Sequence, residues 1–442
     1  MILSAAAAVP ASTLAERAQS LVGLLVFVAL AFVVGRMRSA RGFPLRVVVW
    51  GLALQFAFGA IVLFAPNVLE QVQRAIQELL AFSNAGAAMV FGPNLINEAN
   101  APVIAPDGTV IGVAKIGFIF AVTVLPTILF VSMLTAILYH LGVLTLVVHA
   151  LAWLMHKTMG TSGAETLSTA ANIFVGQTEA PLLVRPFLAL ATRSELMAIM
   201  VGGFANIATG VLVAYTDMLK DFVPNVGGHL ALACFISAPA TLVVAKLMMP
   251  ETEQPVTSAG VEFKVERIDA NVIDAATRGT SEGLALALNV GAMLVAFTAL
   301  IALLNALLGW TGGWLGAPNL TLQQIFGYVF APLAWLCGID WQYCPRVGAL
   351  LGIKTVLNEF VAYFEMGQMW SKDPHFLSPR AGLLATYALC GFANFASVGI
   401  QIGGISVLAP SRRADLSRIG LLAMVGGTIA TLMGACVVGV LI

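Results

Sequence analysis

The sequence predicts an all-α integral membrane protein. It reads as eight transmembrane helices plus two re-entrant helical hairpins in an inverted repeat, with interfacial helices. Three observations lead there. The 442 residues are 59% hydrophobic and 10% charged, where soluble domains carry about 25% charge. Two arginine clusters punctuate the apolar runs, Arg36, Arg38, Arg41 and Arg46 near the start and Arg412, Arg413 and Arg418 near the end. Two polar interruptions, each holding a glutamate, are each followed by the word Gly-Phe-Ala-Asn.

The elements follow in order. Residues 21–35 form a short first span that extends back through Ala15-Glu16-Arg17 with some tilt. The arginines after it mark a cytoplasmic loop and put the N-terminus outside. Residues 1–10 lack a basic stretch, so no cleavable signal is expected and the first span directs insertion. A second span covers residues 47–64. Residues 69–91 carry Glu70, Gln73, Arg74 and Glu78 among aliphatics at helical spacing, which predicts an amphipathic helix on or beside the membrane. Residues 92–115 read as a loop and 116–139 as the third span. Residues 140–160 are apolar but too broken for a clean span. Spans four and five cover 195–215 and 229–249, a polar linker runs over 250–269, and span six covers 283–308. Residues 322–339 are apolar, 381–408 form span seven, and 419–442 form span eight. The broken zones are 161–193 and 348–379. With both termini outside, the two arginine loops agree on one topology, and the zones enter from opposite faces, as an inverted repeat would.

The repeat is visible in residues. Leu151-Ala152-Trp153-Leu154-Met155 recurs as Leu333-Ala334-Trp335-Leu336-Cys337. Glu179 has its counterpart in Glu359, and Asn206 of Gly203-Phe204-Ala205-Asn206 in Asn394 of Gly391-Phe392-Ala393-Asn394. Landmarks in one order at nearly one offset mark internal duplication.

The chemistry lies in these breaks. A charge at membrane depth costs at least ~2.5–3.5 kcal/mol unless it faces water, a partner or a ligand. In Gly176-Gln177-Thr178-Glu179-Ala180-Pro181 the proline removes a backbone donor and the glycine tolerates unusual dihedrals. The chain is expected to turn there as the tip of a re-entrant hairpin, which requires a protein-lined or wet cavity. A kinked span with Glu179 paired to Arg185 is the plainer alternative. Gln177 offers a donor and an acceptor on one amide, a match for a planar heterocycle with adjacent acceptor and N–H groups, and Thr178 adds a hydroxyl. Glu359 beside Asn394 and Ser397 suits a vicinal diol such as a ribose, although Asn394 and Ser397 alone read equally as helix–helix hydrogen bonding. Zero net charge makes nucleic acid an improbable partner. Five scattered cysteines read as small core residues. His140, His149, His156, His229 and His375 form no ligand cluster. Glu165 and Arg185 flank the first zone as a candidate pair, Arg193-Ser194-Glu195 reads as a solvated turn, and Trp310, Trp314, Trp335 and Trp341 fall where an aromatic belt is expected.

Three stretches together resemble the concentrative nucleoside transporter family, in its bacterial members: Gly176-Gln177-Thr178-Glu179-Ala180-Pro181-Leu182, Val356-Leu357-Asn358-Glu359-Phe360-Val361-Ala362-Tyr363 and Gly391-Phe392-Ala393-Asn394-Phe395-Ala396-Ser397. The resemblance covers nearly the whole chain past its first twenty residues. It implies a multi-pass protein of the bacterial inner membrane, which makes the outward termini read from the arginine loops periplasmic. It implies a homotrimer importing nucleosides in cation symport by an elevator-like movement, with no cofactor beyond the coupling ion. It divides the chain into a scaffold part (1–140), a transport part with the first repeat (141–250), a linker with scaffold span six (251–320) and a transport part with the second repeat (321–442). It carries nucleobase contacts onto Gln177, Thr178 and Glu179, ribose contacts onto Glu359, Asn394 and Ser397, and apolar contacts onto Val211 and Phe392. A sodium site falls on the side chains of Asn172 and Asn206 and the carbonyls of Val175 and Ile207, since hard cations take such oxygens.

At Asn206 the family commonly has a small hydroxyl residue. An amide oxygen could coordinate sodium, or fill the site and displace it. Proton coupling through Glu179 or Glu359 therefore stands beside sodium coupling. Two rival functions compete with this reading. An intramembrane enzyme would use the two glutamates as acid and base, but no nucleophile–base pair, metal motif or phosphate loop accompanies them. A channel with an acidic ring fits two inverted breaks less well than alternating access does.

Overall fold

The structure, a computed structural model, describes residues 12–37, 42–96, 100–115, 119–258, 269–314, 316–317 and 319–442. Arg38 and Arg41 of the first cluster, residues 1–10 and residues 259–268 of the linker lie outside the described residues.

Helices α1 (Leu14–Arg36), α2 (Leu45–Leu63), α3 (Pro66–Phe91) and the short α4 (Pro93–Ile96) open the chain. The first span starts seven residues before the apolar run because Thr13 and Glu16 close a capping box over its free amides. The amphipathic reading of α3 holds: Gln73 turns inward and accepts from the Gly227 amide at 2.8 Å, while Glu70 and Arg74 pair on the exposed face.

Residues 92–115 depart from the loop reading. Strands β1 (Asn100–Ile104) and β2 (Val110–Lys115) pair antiparallel as a hairpin. The signal was present in Asp107-Gly108: Gly108 takes a φ of 83°, and the Asp107 carboxylate accepts from the Thr109 amide at 3.0 Å.

After α5 (Phe120–Thr123) and α6 (Leu125–His140), the two halves repeat one order of elements. The first half has α7 (Val143–Met159), α8 (Gly163–Ala171), a 3₁₀ turn at Ala180–Val184, α9 (Arg185–Leu188), α10 (Arg193–Ala205), α11 (Thr209–Leu219) and α12 (Val226–Met248). Then comes α13 (Val272–Trp314), 43 residues long. At 1.5 Å per residue that is about 65 Å, roughly twice the ~30 Å hydrocarbon layer. The second half has α14 (Leu322–Leu336), α15 (Cys344–Val356), α16 (Glu359–Lys372), α17 (Pro379–Leu389), α18 (Phe395–Leu408) and α19 (Arg413–Leu441). Residues 140–160, read as too broken, contain the continuous α7, held between Gly142 and Gly160 in left-handed conformations.

Two predicted spans are not continuous. Residues 195–215 break between α10 and α11, and residues 381–408 break between α17 and α18. Asn206 and Asn394 are extended at these points, with ψ of 167° and 164°. The breaks lie against each other. The Phe392 amide donates to the Asn206 carbonyl at 3.3 Å. A Cβ on Gly391 would stand 2.8 Å from the Phe204 carbonyl oxygen, so only glycine lets the two backbones meet. The half-helices α10 and α17 pack on both long helices α12 and α19, and this group forms the core.

The outer ends of the two halves are held by buried cations. Near the end of α12, Lys246 Nζ reaches Glu165 Oε2 at 2.7 Å, Ser194 Oγ at 2.9 Å and Glu251 Oε2 at 3.3 Å. Glu195 beside it accepts from Ser162 Oγ at 2.6 Å and from the Thr192 amide at 2.8 Å. Two expectations are thereby corrected. Glu165 pairs with Lys246 rather than Arg185, because its helix start faces α12. Arg193-Ser194-Glu195 is the capped first turn of α10, with Ser194 and Glu195 buried. In the second half Arg380 plays the corresponding part: it donates to the carbonyls of Gly338 and Gly439, to Ser20 Oγ and to Ser12 Oγ, tying α17 to α14, α19 and α1. The five cysteines are buried and unbridged, and no cluster of potential metal ligands occurs among the described residues.

Removing one member of a buried ion pair strands the other and costs about 3–5 kcal/mol. Lys246→Met is predicted to lower the thermal unfolding temperature of the purified protein clearly. An unchanged unfolding curve would show that this cluster holds nothing together.

Candidate functional site

Four interruptions of helix meet at one cavity of about 710 Å³. They are residues 172–179 after α8, 206–208 between α10 and α11, 357–358 between α15 and α16, and 390–394 between α17 and α18. The volume lies in the range of small-molecule sites, about 300–1,000 Å³.

In the first interruption, α8 unwinds at Asn172, and the Phe174 carbonyl is taken up by the Thr209 hydroxyl at 2.6 Å. The chain then turns, and the Glu179 carboxylate accepts from the Gly176 amide at 3.2 Å. Glu179 is open to the cavity, as is Arg185 to the exterior, and no ion pair joins them among the described residues. The hairpin-tip reading therefore describes the backbone better than the kinked span. The arm after the turn is only a 3₁₀ segment and the four-residue α9, because Pro181 and Pro186 fall within one short stretch.

In the second hairpin, Asn358 caps α16 by accepting from the Val361 amide at 2.8 Å, which places Glu359 in the first turn. A carboxylate is favoured there by the partial positive charge of the helix start. Glu359 is 4% exposed. One of its oxygens accepts from the Tyr215 hydroxyl at 2.8 Å and the other from Asn394 Nδ2 at 3.3 Å. Asn394 also caps α18, accepting from the Ser397 amide at 2.8 Å. It thus caps a helix and lines the cavity at once, more than the helix-to-helix contact that its residue type alone suggests. A carboxylate has about four acceptor positions. Two are filled by neutral donors, which leaves capacity toward the cavity.

Gln177, Thr178, Glu179, Val211, Glu359, Phe392, Asn394 and Ser397 all line this one cavity. Of the four residues singled out for an ion, Val175 also lines it, while Asn172, Asn206 and Ile207 lie buried beside it. Asn206 turns its amide nitrogen to the Gly202 carbonyl at 3.3 Å and leaves Oδ1 buried with no hydrogen-bond donor. Asn172 packs across Gly202, where a Cβ would stand 3.1 Å from its Nδ2 and 3.6 Å from Thr169 Oγ1. Thr169 Oγ1, Ser168 Oγ and Thr241 Oγ1 are likewise buried without partners. A buried amide oxygen without a donor is a ligand type that a hard cation accepts.

Several site residues were not foreseen. Tyr215 and Asn358 hold Glu359, and Lys354 is fully buried behind it, donating to the Ala388 carbonyl at 2.9 Å and to Thr431 Oγ1 at 3.2 Å. Asn358 was adjacent to a residue already singled out, but Tyr215 and Lys354 reach the site only through tertiary packing. The opposite wall of the cavity comes from α6 and α13, through Ser132, Thr135, Arg278, Glu282 and Asn289. There Arg278 holds Asp269 in a two-point pair at 2.7 and 2.9 Å and also grips Glu282 at 3.0 Å. The guanidinium's hydrogen bonds keep the Asp269 carboxyl below the usual carboxylate range.

Residues 22–94, 121–222 and 229–439 match family models described as the Na+ dependent nucleoside transporter N-terminus, nucleoside recognition, and the Na+ dependent nucleoside transporter C-terminus. The chain belongs to the concentrative nucleoside transporter family. It is a multi-pass membrane transporter and not an enzyme. An uncharacterized transporter of Haemophilus influenzae is 43% identical, over 96% of this chain and 97% of that one. Sodium/nucleoside cotransporter 1 of Rattus norvegicus is 40% identical over 96% of this chain, which spans 64% of the longer rat protein. The solved structure of CNTnw in an inward-facing substrate-bound state superposes with a TM-score of 0.84 at 40% identity, over 96% of this chain and 97% of that one. A CNTnw variant in an outward-facing state gives 0.86 at 40% identity, over the same shares.

Proposed function

We propose that this protein imports nucleosides by sodium symport, using alternating access. The observation that carries the reading is the shared cavity. One repeat supplies an amide, a hydroxyl and a carboxylate in a row, and the other supplies a buried carboxylate, an amide and a hydroxyl. A nucleoside needs both sets. Its base offers a planar edge of donors and acceptors to Gln177, Thr178 and Glu179. Its ribose offers hydroxyls that fill the open acceptor positions of Glu359 and bond to Asn394 and Ser397. Val211 and Phe392 supply apolar contact between the two. A buried carboxylate with unused acceptor capacity is costly, and the ligand relieves that cost.

Sodium is the coupling cation in this reading, held by Asn172, Val175, Asn206 and Ile207. Asn172 and Val175 lie on the turn that bears Gln177 to Glu179. An ion there fixes the turn in its binding shape, so ion and nucleoside strengthen each other's binding by the same factor. The unpartnered Asn206 oxygen supports coordination rather than displacement.

The walls of the cavity support a particular movement. The proposed nucleoside contacts all come from residues 141–250 and 321–442, while α6 and α13 form a separate wall. We assign the first group to a moving transport part and α6 and α13, with the rest of residues 1–140 and 251–320, to a scaffold. The transport part slides along the scaffold like an elevator, in a homotrimer of the bacterial inner membrane with periplasmic termini. CNTnw has solved structures in inward-facing, intermediate and outward-facing states, which supports alternating access for the family.

Purified protein in liposomes is predicted to accumulate unmodified uridine under an inward sodium gradient. Accumulation under a pH gradient alone would make the proton the coupling ion, and equilibration without accumulation would make this a channel. Glu359→Gln weakens hydrogen bonds to a charged group, worth about 1.5–3 kcal/mol. It is predicted to cut uridine uptake about 10- to 100-fold while assembly is retained. Wild-type uptake by this variant would remove Glu359 from the sugar site. Asn206→Ala is predicted to raise the sodium concentration for half-maximal uptake about tenfold, a loss of about 1.4 kcal/mol. An unchanged sodium curve would place the ion elsewhere.

A further inference from the structure

Behind the amide of Gln177 stands a second amide. Gln401, on α18, is 0% exposed. Its Nε2 donates to Gln177 Oε1 at 3.1 Å, and Gln177 Nε2 in turn donates to Ser397 Oγ at 3.3 Å. Gln401 Oε1 is buried with no donor. Both side chains are packed over Gly203, where a Cβ would stand 2.7 Å from Gln401 Nε2 and 3.0 Å from Gln177 Cβ. In such a slot a half-turn about the last side-chain torsion exchanges oxygen for nitrogen in the same space.

The two settings differ in energy. As found, the Gln177 carbonyl points at Gln401, its NH₂ group faces Ser397 and the cavity, and the unmatched atom is a carbonyl oxygen. With both amides turned, Gln177 would show its carbonyl to the cavity, and the unmatched group would be the NH₂ of Gln401. A buried N–H without an acceptor is rarer and less tolerated than an undersatisfied carbonyl. Gln401 therefore biases Gln177 toward its donor face, and the Ser397 hydroxyl can accept from that face.

We propose that Gln401 is a specificity-determining positioning residue, which fixes the donor face of Gln177 toward the cavity and so favours a base with a carbonyl at that edge over one with an amine. Uridine and cytidine are the nearest pair that differ in this way: uridine carries a carbonyl where cytidine carries an amine. The inference rests on the reading of Gln177 as a base contact. A donor facing a carbonyl makes a hydrogen bond, and a donor facing an amine does not. One neutral hydrogen bond, at 0.5–1.5 kcal/mol, corresponds to about a 2- to 12-fold preference.

The test is competition of unlabelled uridine and cytidine against labelled uridine uptake in proteoliposomes. The wild-type protein is expected to favour uridine within that range. Gln401→Met keeps the length and removes the amide, so the ratio is expected to fall toward one while maximal uptake stays within about twofold. Gln401→Asn withdraws the amide by one methylene and is expected to do the same, which covers the case in which the methionine variant fails to assemble. A wild-type preference for cytidine overturns the proposal. So does an unchanged ratio in an assembled variant, including one whose half-saturation values for both nucleosides rise together, because that is the mark of a merely structural residue. Absence of any nucleoside uptake by the wild type is a different failure, since it sinks the proposed function itself.

Discussion

The controlling constraint is the backbone that leaves helical conformation inside an apolar body. A carbonyl or amide without a partner at that depth costs several kilocalories, and no water is at hand except in a cavity. This chain meets the constraint by bringing its interruptions together. Phe392 donates to Asn206, Thr209 donates to Phe174, and Asn358 and Asn394 each cap the helix that restarts after their own break. Among the polar groups that remain unmatched, the side-chain oxygens of Asn206 and Gln401 lie beside residues that line the cavity. The recognition surface is what is left over once the two repeats have satisfied each other.

The same constraint explains why the site is divided between the repeats. A break needs partners from outside its own helix, and the break at Asn206 finds one in the corresponding break of the other half, at Phe392. The contact of Gly391 with Phe204 sets the distance between them. The two halves are not equal. Asn394 spends its oxygen on the cap of α18, while the Asn206 oxygen caps nothing and is buried unmatched. In our reading, one duplicated word has thus become a sugar contact in the second half and an ion ligand in the first.

Much of this was legible in the sequence because buried charge is conspicuous. Glu179 and Glu359 stand out against apolar neighbours, and Pro181 beside Glu179 makes a straight helix impossible there. The resemblance supplied the residues that a pattern cannot, such as Val211. The breaks at Asn206 and Asn394 were not legible as breaks, although both asparagines were singled out. Residues 195–215 and 381–408 are apolar enough to run straight, and they part only where a backbone partner from the other repeat is available. Lys246 and Arg380 escaped notice for a related reason: a single cation in a long helix has no local signature, and its partners lie far along the chain. The β1–β2 hairpin was legible in Asp107-Gly108, but the short flanking strands gave little alternation to support it.

The central claim is that both repeats grip one nucleoside between them. The most direct measurement is a structure of the protein determined with uridine and sodium present. The account predicts density for the ring against Gln177, Thr178 and Glu179 and for the sugar against Glu359, Asn394 and Ser397, in a single site. Uridine bound by residues of one repeat alone, or outside this cavity, would contradict it.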